Sequence, residues 1–193
     1  MAEMHPVDIE NYNYTPSEKY MYEAFRDRLD KKYHVFYSVR WFEVEEGKRI
    51  DSESDFIVFD PSFGFITIEV KGGKDIIQEG DRWLLVETKD GEESIRELKC
   101  SPYEQAEKSM RHFHKYFHEE FHQSFNGVYG FAVAFPWYSQ RKSFQVVVLV
   151  NLQLIRAILK TCQGKSMKYF IIGGIKEICR FRFLRSNGSV LSL

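Results

Sequence analysis

Between residues 15 and 30, Tyr22, Phe25 and Leu29 recur at spacings of three and four. That period predicts a helix with one face turned inward. Thr15 is placed to cap it, Pro16 fits its first position and Glu18 its first turn. From Tyr33 to Phe42 the chain turns to Val and aromatic residues and reads as a strand. Glu43 to Ser54 is dense in charge and is expected to be a loop. Asp55 to Phe59 is a second strand, Asp60-Pro61-Ser62-Phe63-Gly64 a turn, and Phe65 to Lys71 a third strand that Gly72-Gly73 ends. Arg82 to Glu87 is a fourth strand, with Asp90-Gly91 turning after it. Ser101-Pro102 opens a long helix that runs to about His122. Val128 to Phe135 and Phe144 to Val150 are strands of buried character, Asn151 caps a helix through Leu159, and Tyr169 to Ile172 is a short strand. Residues 1–14 read as a flexible tail and 15–193 as a single domain. The order α-β-β-β-β-α-β-β-α predicts a mixed α/β domain built around one sheet.

The third strand carries the most chemistry. Ile66, Ile68 and Val70 alternate with Thr67, Glu69 and Lys71, so Glu69 and Lys71 share a face. Folding the hairpin about Ser62 pairs Phe59 with Phe65, Ile57 with Thr67, and Asp55 with Glu69. Opposed carboxylates destabilise a sheet unless positive charge compensates. A divalent cation would do so, since Mg²⁺ takes one or two carboxylates together with waters and phosphate oxygens. In that reading Asp55 and Glu69 hold the metal. Lys71 orients a water or stabilises charge on a phosphoryl group, and the bare backbone of Gly72 and Gly73 leaves room for a nucleic-acid strand. The same register offers a plainer alternative, an ordinary Glu53–Lys71 ion pair with Glu69 on a solvated face. Glu18 could lean toward the same metal or simply favour its own helix N-terminus. Gln105, early in the second helix, could bond a phosphate, a water or a carboxylate, or lie on the surface.

Composition narrows the class. A hydrophobic fraction of 44% in 193 residues suits one globular domain and excludes a disordered chain. No apolar run approaches the roughly 20 residues that span a bilayer. The polar, acidic start does not read as a signal peptide. Cys100, Cys162 and Cys179 match no zinc spacing and read as reduced thiols. Together these point to a soluble, cytoplasmic protein with no membrane partner. The net charge of −1 hides a division: residues 1–100 hold 14 Lys/Arg against 23 Asp/Glu, and the remainder 13 against 5. An acidic half beside a basic half suits a metal site next to a phosphate-binding surface, or an interface with another domain. Arg141, Lys142, Arg156, Lys160, Lys165 and Lys168 are candidates for phosphate contact, with Trp137 and Tyr138 for base stacking. His114, His118 and His122 share a helix face with His112 nearby, but no Glu stands beside the first His as in a metalloprotease motif, and the face reads as solvated or pH-sensitive.

Several segments resemble one family in order. They are Ser17-Glu18, Val39-Arg40-Trp41, Ser54-Asp55-Phe56-Ile57-Val58, Asp60-Pro61, Ile68-Glu69-Val70-Lys71-Gly72-Gly73, Asp81-Arg82-Trp83 and Ser101-Pro102-Tyr103-Glu104-Gln105-Ala106. The pattern resembles the nuclease-related domain family, NERD, a branch of the PD-(D/E)xK nuclease superfamily, and especially versions joined to superfamily 1 helicase modules. Ser54 departs from the Glu usual there, as do Trp137-Tyr138 and Asn151 from acidic residues. The resemblance implies a restriction-endonuclease-like α/β fold, a four-stranded mixed core sheet flanked by helices. It also implies a Mg²⁺ or Mn²⁺ site and DNA as substrate. Glu18, Asp55, Glu69, Lys71 and Gln105 are the matching catalytic positions, with Asp55, Glu69 and Glu18 as metal ligands. The expected function is phosphodiester hydrolysis in DNA processing or repair, with a helicase module or another DNA-processing protein as possible partner. The alternatives are a catalytically silent module that binds DNA or a helicase, and a protein-interaction domain.

Overall fold

The computed structural model describes residues 1–122, 125–137 and 169–173. The expected strand at 144–150 and helix at 151–159 lie outside them, as do the basic residues beyond 140.

Helix α1 spans Pro16–Arg28. Thr15 Oγ1 accepts the Glu18 N–H at 3.3 Å, and Glu18 Oε2 accepts the Thr15 N–H at 3.1 Å. This reciprocal capping box fixes where the helix begins. Strands β1 (Glu3–His5), β2 (His34–Glu45), β3 (Lys48–Asp60) and β4 (Gly64–Val70) come next or precede it. They are followed by β5 (Asp75–Glu79), β6 (Arg82–Lys89), β7 (Glu92–Glu97), helix α2 (Pro102–Phe121), β8 (Val128–Phe135) and β9 (Tyr169–Gly173). A six-stranded mixed sheet runs β1-β2-β3-β4-β8-β9, and β5-β6-β7 form a second, antiparallel sheet. The central sheet is thus wider than the four strands expected.

Helices cover both faces of that sheet. On one, Met21, Tyr22 and Phe25 of α1 pack on Val35, Tyr37, Phe56, Val58, Ile66, Ile68 and Val70. On the other, Ala106 and Met110 of α2 meet Ile57, Phe65, Phe131 and Val133, joined by Ile76, Trp83 and Leu85 from the small sheet. The strands therefore obey the period of two, with even residues of β3 and β4 toward α1 and odd ones toward α2. Thr67 Oγ1 donates to Ala106 O at 2.8 Å and pins α2 over the second face. The result is the restriction-endonuclease-like mixed α/β architecture expected. No helix among the described residues is long and apolar enough to cross a membrane.

Three expectations are corrected. Residues 43–54 are not a loop but the outer part of the β2–β3 hairpin, paired from Phe42↔Asp51 to Glu45↔Lys48. Glu46 and Gly47 turn it with φ of 50° and 75°, the left-handed pair that matches strand twist. Phe42 and Val44 face solvent while charged Glu43 is on the half-buried face, so the apolar positions do not mark an inward face. The N-terminal segment is not a loose tail: β1 pairs in parallel with β2, and Ala2, Met4 and Ile9 are buried in the α1-side core. Finally, β5 and β7 flank β6, although the sequence signalled only the middle strand.

Gly64 shows how closely β8 approaches. Its φ is 139°, and a Cβ there would fall 1.7 Å from Val128 O. Backbone strain and overpacking each cost about 1–3 kcal/mol. Gly64→Ala should therefore lower unfolding free energy by about 2–4 kcal/mol, read by urea denaturation, whereas a change below 1 kcal/mol would show that the close strand contact is not needed.

Candidate active site

The β3–β4 hairpin has the predicted register: Phe59 pairs with Phe65 and Ile57 with Thr67, and the ladder reaches Phe56↔Ile68. The next positions are Asp55 and Glu69, on the α2 side of the sheet. There a side chain takes over from the backbone ladder, with the Val70 N–H donating to Asp55 Oδ2 at 2.6 Å. Lys71 Nζ donates to Glu69 Oε1. Glu69 is 5% exposed, so this ion pair sits largely out of water.

The electrostatics follow from crowding. Burial first, and then the charge of Glu69, push the Asp55 carboxyl well above the usual carboxylate range; Lys71 and the Val70 N–H oppose this. Burial likewise raises Glu69, against the pull of Lys71, and Glu18 and Glu53 add to the rise. Two acids share one ammonium, so the cluster is short of positive charge.

The neighbouring strand breaks at the same level. Pairing of β2 with β3 passes from Tyr37↔Phe56 to Val39↔Ser54, so Ser38 and Asp55 leave the ladder together. Ser38 has φ of 54°, and its Oγ donates to Glu53 Oε1 at 2.5 Å. A non-glycine residue in this region carries strain of about 1–3 kcal/mol, and such residues cluster at functional sites. The break also reverses the strand's facing: Tyr37 joins the α1-side core and Val39 packs on the α2 side.

The five predicted residues are not equally engaged. Asp55, Glu69 and Lys71 come together. Glu18 lies close enough for its charge to act on both acids, but its Oε2 caps α1 and accepts the Tyr37 hydroxyl at 2.8 Å. Among the described residues it does not form a three-ligand cluster with Asp55 and Glu69. Gln105 lies half-buried in the first turn of α2, next to Ala106, whose carbonyl is held by Thr67 two residues before Glu69. Gly72 is not left bare for a ligand: a Cβ there would lie 2.7 Å from Ser17 Oγ, so its small size admits the first turn of α1. The Glu53–Lys71 pair does not form; Glu53 bonds Ser38 and Arg40.

Tyr37 and Ser38 went unnoticed in the sequence. Burial and the Glu18 bond raise the Tyr37 phenol far above its ordinary value, so it stays a donor. Cys100, exposed, is also held up as a thiol by partial burial and Glu104, with Lys71 and Glu69 among its charged neighbours. The histidines of α2 divide: His112 stacks on Trp41 at 4.4 Å and meets Glu43 at 3.1 Å, while His114 lies on Tyr129 at 4.1 Å.

The model of the nuclease-related domain, NERD, matches residues 15–150. The chain belongs to this family. Its span takes in α1, the hairpin bearing Asp55, Glu69 and Lys71, and the start of α2, so every element that builds the site lies within the NERD region. No curated protein and no solved structure gives a significant match. Membership in a nuclease-related family agrees with an acid–acid–lysine cluster of this kind.

Proposed function

We propose that this NERD domain hydrolyses DNA phosphodiester bonds with a divalent metal ion. The observation that carries the reading is the pair of crowded acids, Asp55 and Glu69, served among the described residues by Lys71 alone. Their oxygens are hard donors, and their shared deficit of positive charge suits Mg²⁺ or Mn²⁺. When bound, such an ion supplies Lewis-acid polarisation of a phosphate and a more acidic water. Asp55 and Glu69 would hold it, with Asp55 fixed in place by the Val70 N–H. Lys71 would steady charge building on the phosphoryl oxygens, or orient the attacking water. Gln105 would offer its amide to a phosphate oxygen. Glu18, held by Tyr37, would add negative potential or join the ligand set when a cation draws it in.

The β2–β3 ribbon offers cationic and aromatic contacts to a nucleic acid, set among the carboxylates of Glu43, Glu45, Glu46, Asp51 and Glu53. It carries Arg40, Lys48 and Arg49 beside Phe42, which is 58% exposed. The Arg40–Glu53 and Arg49–Asp51 pairs are exposed and cheap to exchange for phosphate. A role in DNA processing or repair within the cytoplasm, alongside a helicase or a similar DNA-processing partner, fits that chemistry. So does membership in the PD-(D/E)xK superfamily.

A second reading, a silent module that binds DNA or a helicase, is favoured by the Lys71–Glu69 ion pair, which satisfies both groups without a metal. Plasmid and single-stranded DNA incubated with the protein in Mn²⁺, Mg²⁺ or EDTA separates the two. Cleavage in metal but not in EDTA is expected. Salt-dependent binding without cleavage in either metal would establish the silent reading.

A further inference from the structure

A second group of ligating side chains lies at the far edge of the central sheet. β1 pairs in parallel with β2, Glu3 opposite His34 and His5 opposite Phe36. Period-two geometry puts Glu3 and His5 on one face, while Met4 between them enters the core. His5 Nε2 lies 3.4 Å from His34 Nδ1. Glu3 Oε1 lies 3.5 Å from His5 Nε2, and Glu3 Oε2 lies 3.4 Å from His34 Nδ1. One ligand atom from each residue can be chosen so that all lie within 4.8 Å of one another.

We infer that Glu3, His5 and His34 form a binding site for a transition-metal cation of the Zn²⁺ class. The separations carry this. A tetrahedral ion with bonds of about 2.0–2.1 Å sets its ligand atoms about 3.3–3.4 Å apart. The two imidazole nitrogens are 3.4 Å apart, near that value, and each lies a similar distance from a different carboxylate oxygen of Glu3, so the carboxylate straddles the pair. Imidazole nitrogens with one carboxylate are the donor set of zinc rather than of Mg²⁺. The rings are already oriented: His5 stacks on Phe36 at 4.6 Å and 16°, and on His34 at 5.7 Å and 14°. Both histidines are half-exposed and Glu3 is exposed, so the ion can load from solvent and keep an open position. β1 is an edge strand of three residues, and the ion would clamp it to β2.

The site is independent of Asp55 and Glu69, so its test is run in wild-type protein and in the Asp55→Asn/Glu69→Gln background. Chelator-treated full chain is titrated with Zn²⁺ against a chromophoric competitor, and with Co²⁺ by visible absorption. One equivalent of tight Zn²⁺ binding and a strong Co²⁺ band are expected in both proteins. His5→Gln and His34→Gln should each weaken Zn²⁺ at least about tenfold. Saturating Zn²⁺, at a hundredfold excess over Kd, should raise Tm by about 5–10 °C. Absence of Zn²⁺ binding at micromolar metal, an octahedral Co²⁺ spectrum in the wild type, or unchanged affinity in either folded histidine variant would overturn the assignment. The wild-type Co²⁺ spectrum decides the matter even if a variant misfolds.

Discussion

Glu69→Gln is expected to cut metal-dependent DNA cleavage by about 10²-fold or more while leaving the fold intact. Removing one transition-state contact from a water-poor site costs rates of that order, and here the change also removes half of the proposed cation's carboxylates. Gln keeps the shape of Glu, so the packing near Thr67 and α2 should survive. The substitution does leave Lys71 without its carboxylate partner, and an unpaired, half-buried ammonium is destabilising. The double variant Glu69→Gln/Lys71→Met removes both charges and should recover much of that stability while remaining inactive. Lys71→Met alone should lose activity to a similar degree, since among the described residues Lys71 is the ammonium whose charge chiefly opposes the two acids. Initial cleavage rates with Mn²⁺, alongside circular dichroism, provide the readout; undiminished activity in Glu69→Gln would remove the acids from the chemistry.

The second large effect concerns stability. Asp55→Asn should stabilise the metal-free protein at neutral pH by about 0.5–2 kcal/mol, the scale of relieving a strained functional group. Burial and Glu69 hold the Asp55 carboxyl above its unfolded value. The stability this group contributes is therefore full below about pH 3.9. It is lost as pH rises through the folded value, because ionisation then places a second negative charge beside Glu69. Other carboxyls move the opposite way: Glu43, Asp27 and Glu87 are lowered, each chiefly by a hydrogen bond to His112, Arg26 and Arg96 respectively. The informative quantity is thus the difference between wild type and variant, which should grow from pH 5 to pH 8. Mn²⁺ should reverse it, stabilising the wild type by mass action and leaving Asp55→Asn little changed. Thermal melts at both pH values, with and without Mn²⁺, test this. A variant less stable than wild type at pH 8 without metal would mean that Asp55 is a structural hydrogen-bond acceptor for Val70 and nothing more.

The part of the site on the β3–β4 hairpin was legible because its signals are local. A turn at residues 61–63, closed by the Asp60↔Gly64 pair, fixes the register, and strict alternation in β4 assigns faces, so Asp55, Glu69 and Lys71 could be brought together from sequence alone. The helix starts at Thr15-Pro16 and Ser101-Pro102 were legible for the same reason. The rest depends on contacts distant in sequence. Tyr37 reaches Glu18 across 19 positions, and nothing near Ser38 announces its left-handed backbone. The charged ribbon of residues 43–54 is a strand pair because a two-residue turn and backbone pairing hold it, and its half-buried face carries Glu43 and Ser52 rather than an apolar run. β7 is exposed at every position, and so is equally silent. β1 is too short to register as a pattern, yet its pairing with β2 sets Glu3 opposite His34 and brings His5 to His34 across 29 positions of sequence.

Anomalous diffraction from a crystal of this protein soaked in Mn²⁺ tests the shared-cation proposal most directly. The expected map has one strong peak within bonding distance of carboxylate oxygens from both residue 55 and residue 69, and that peak vanishes in Asp55→Asn. Manganese bound elsewhere, with Lys71 still closed on Glu69 and no peak between the two acids, would contradict it.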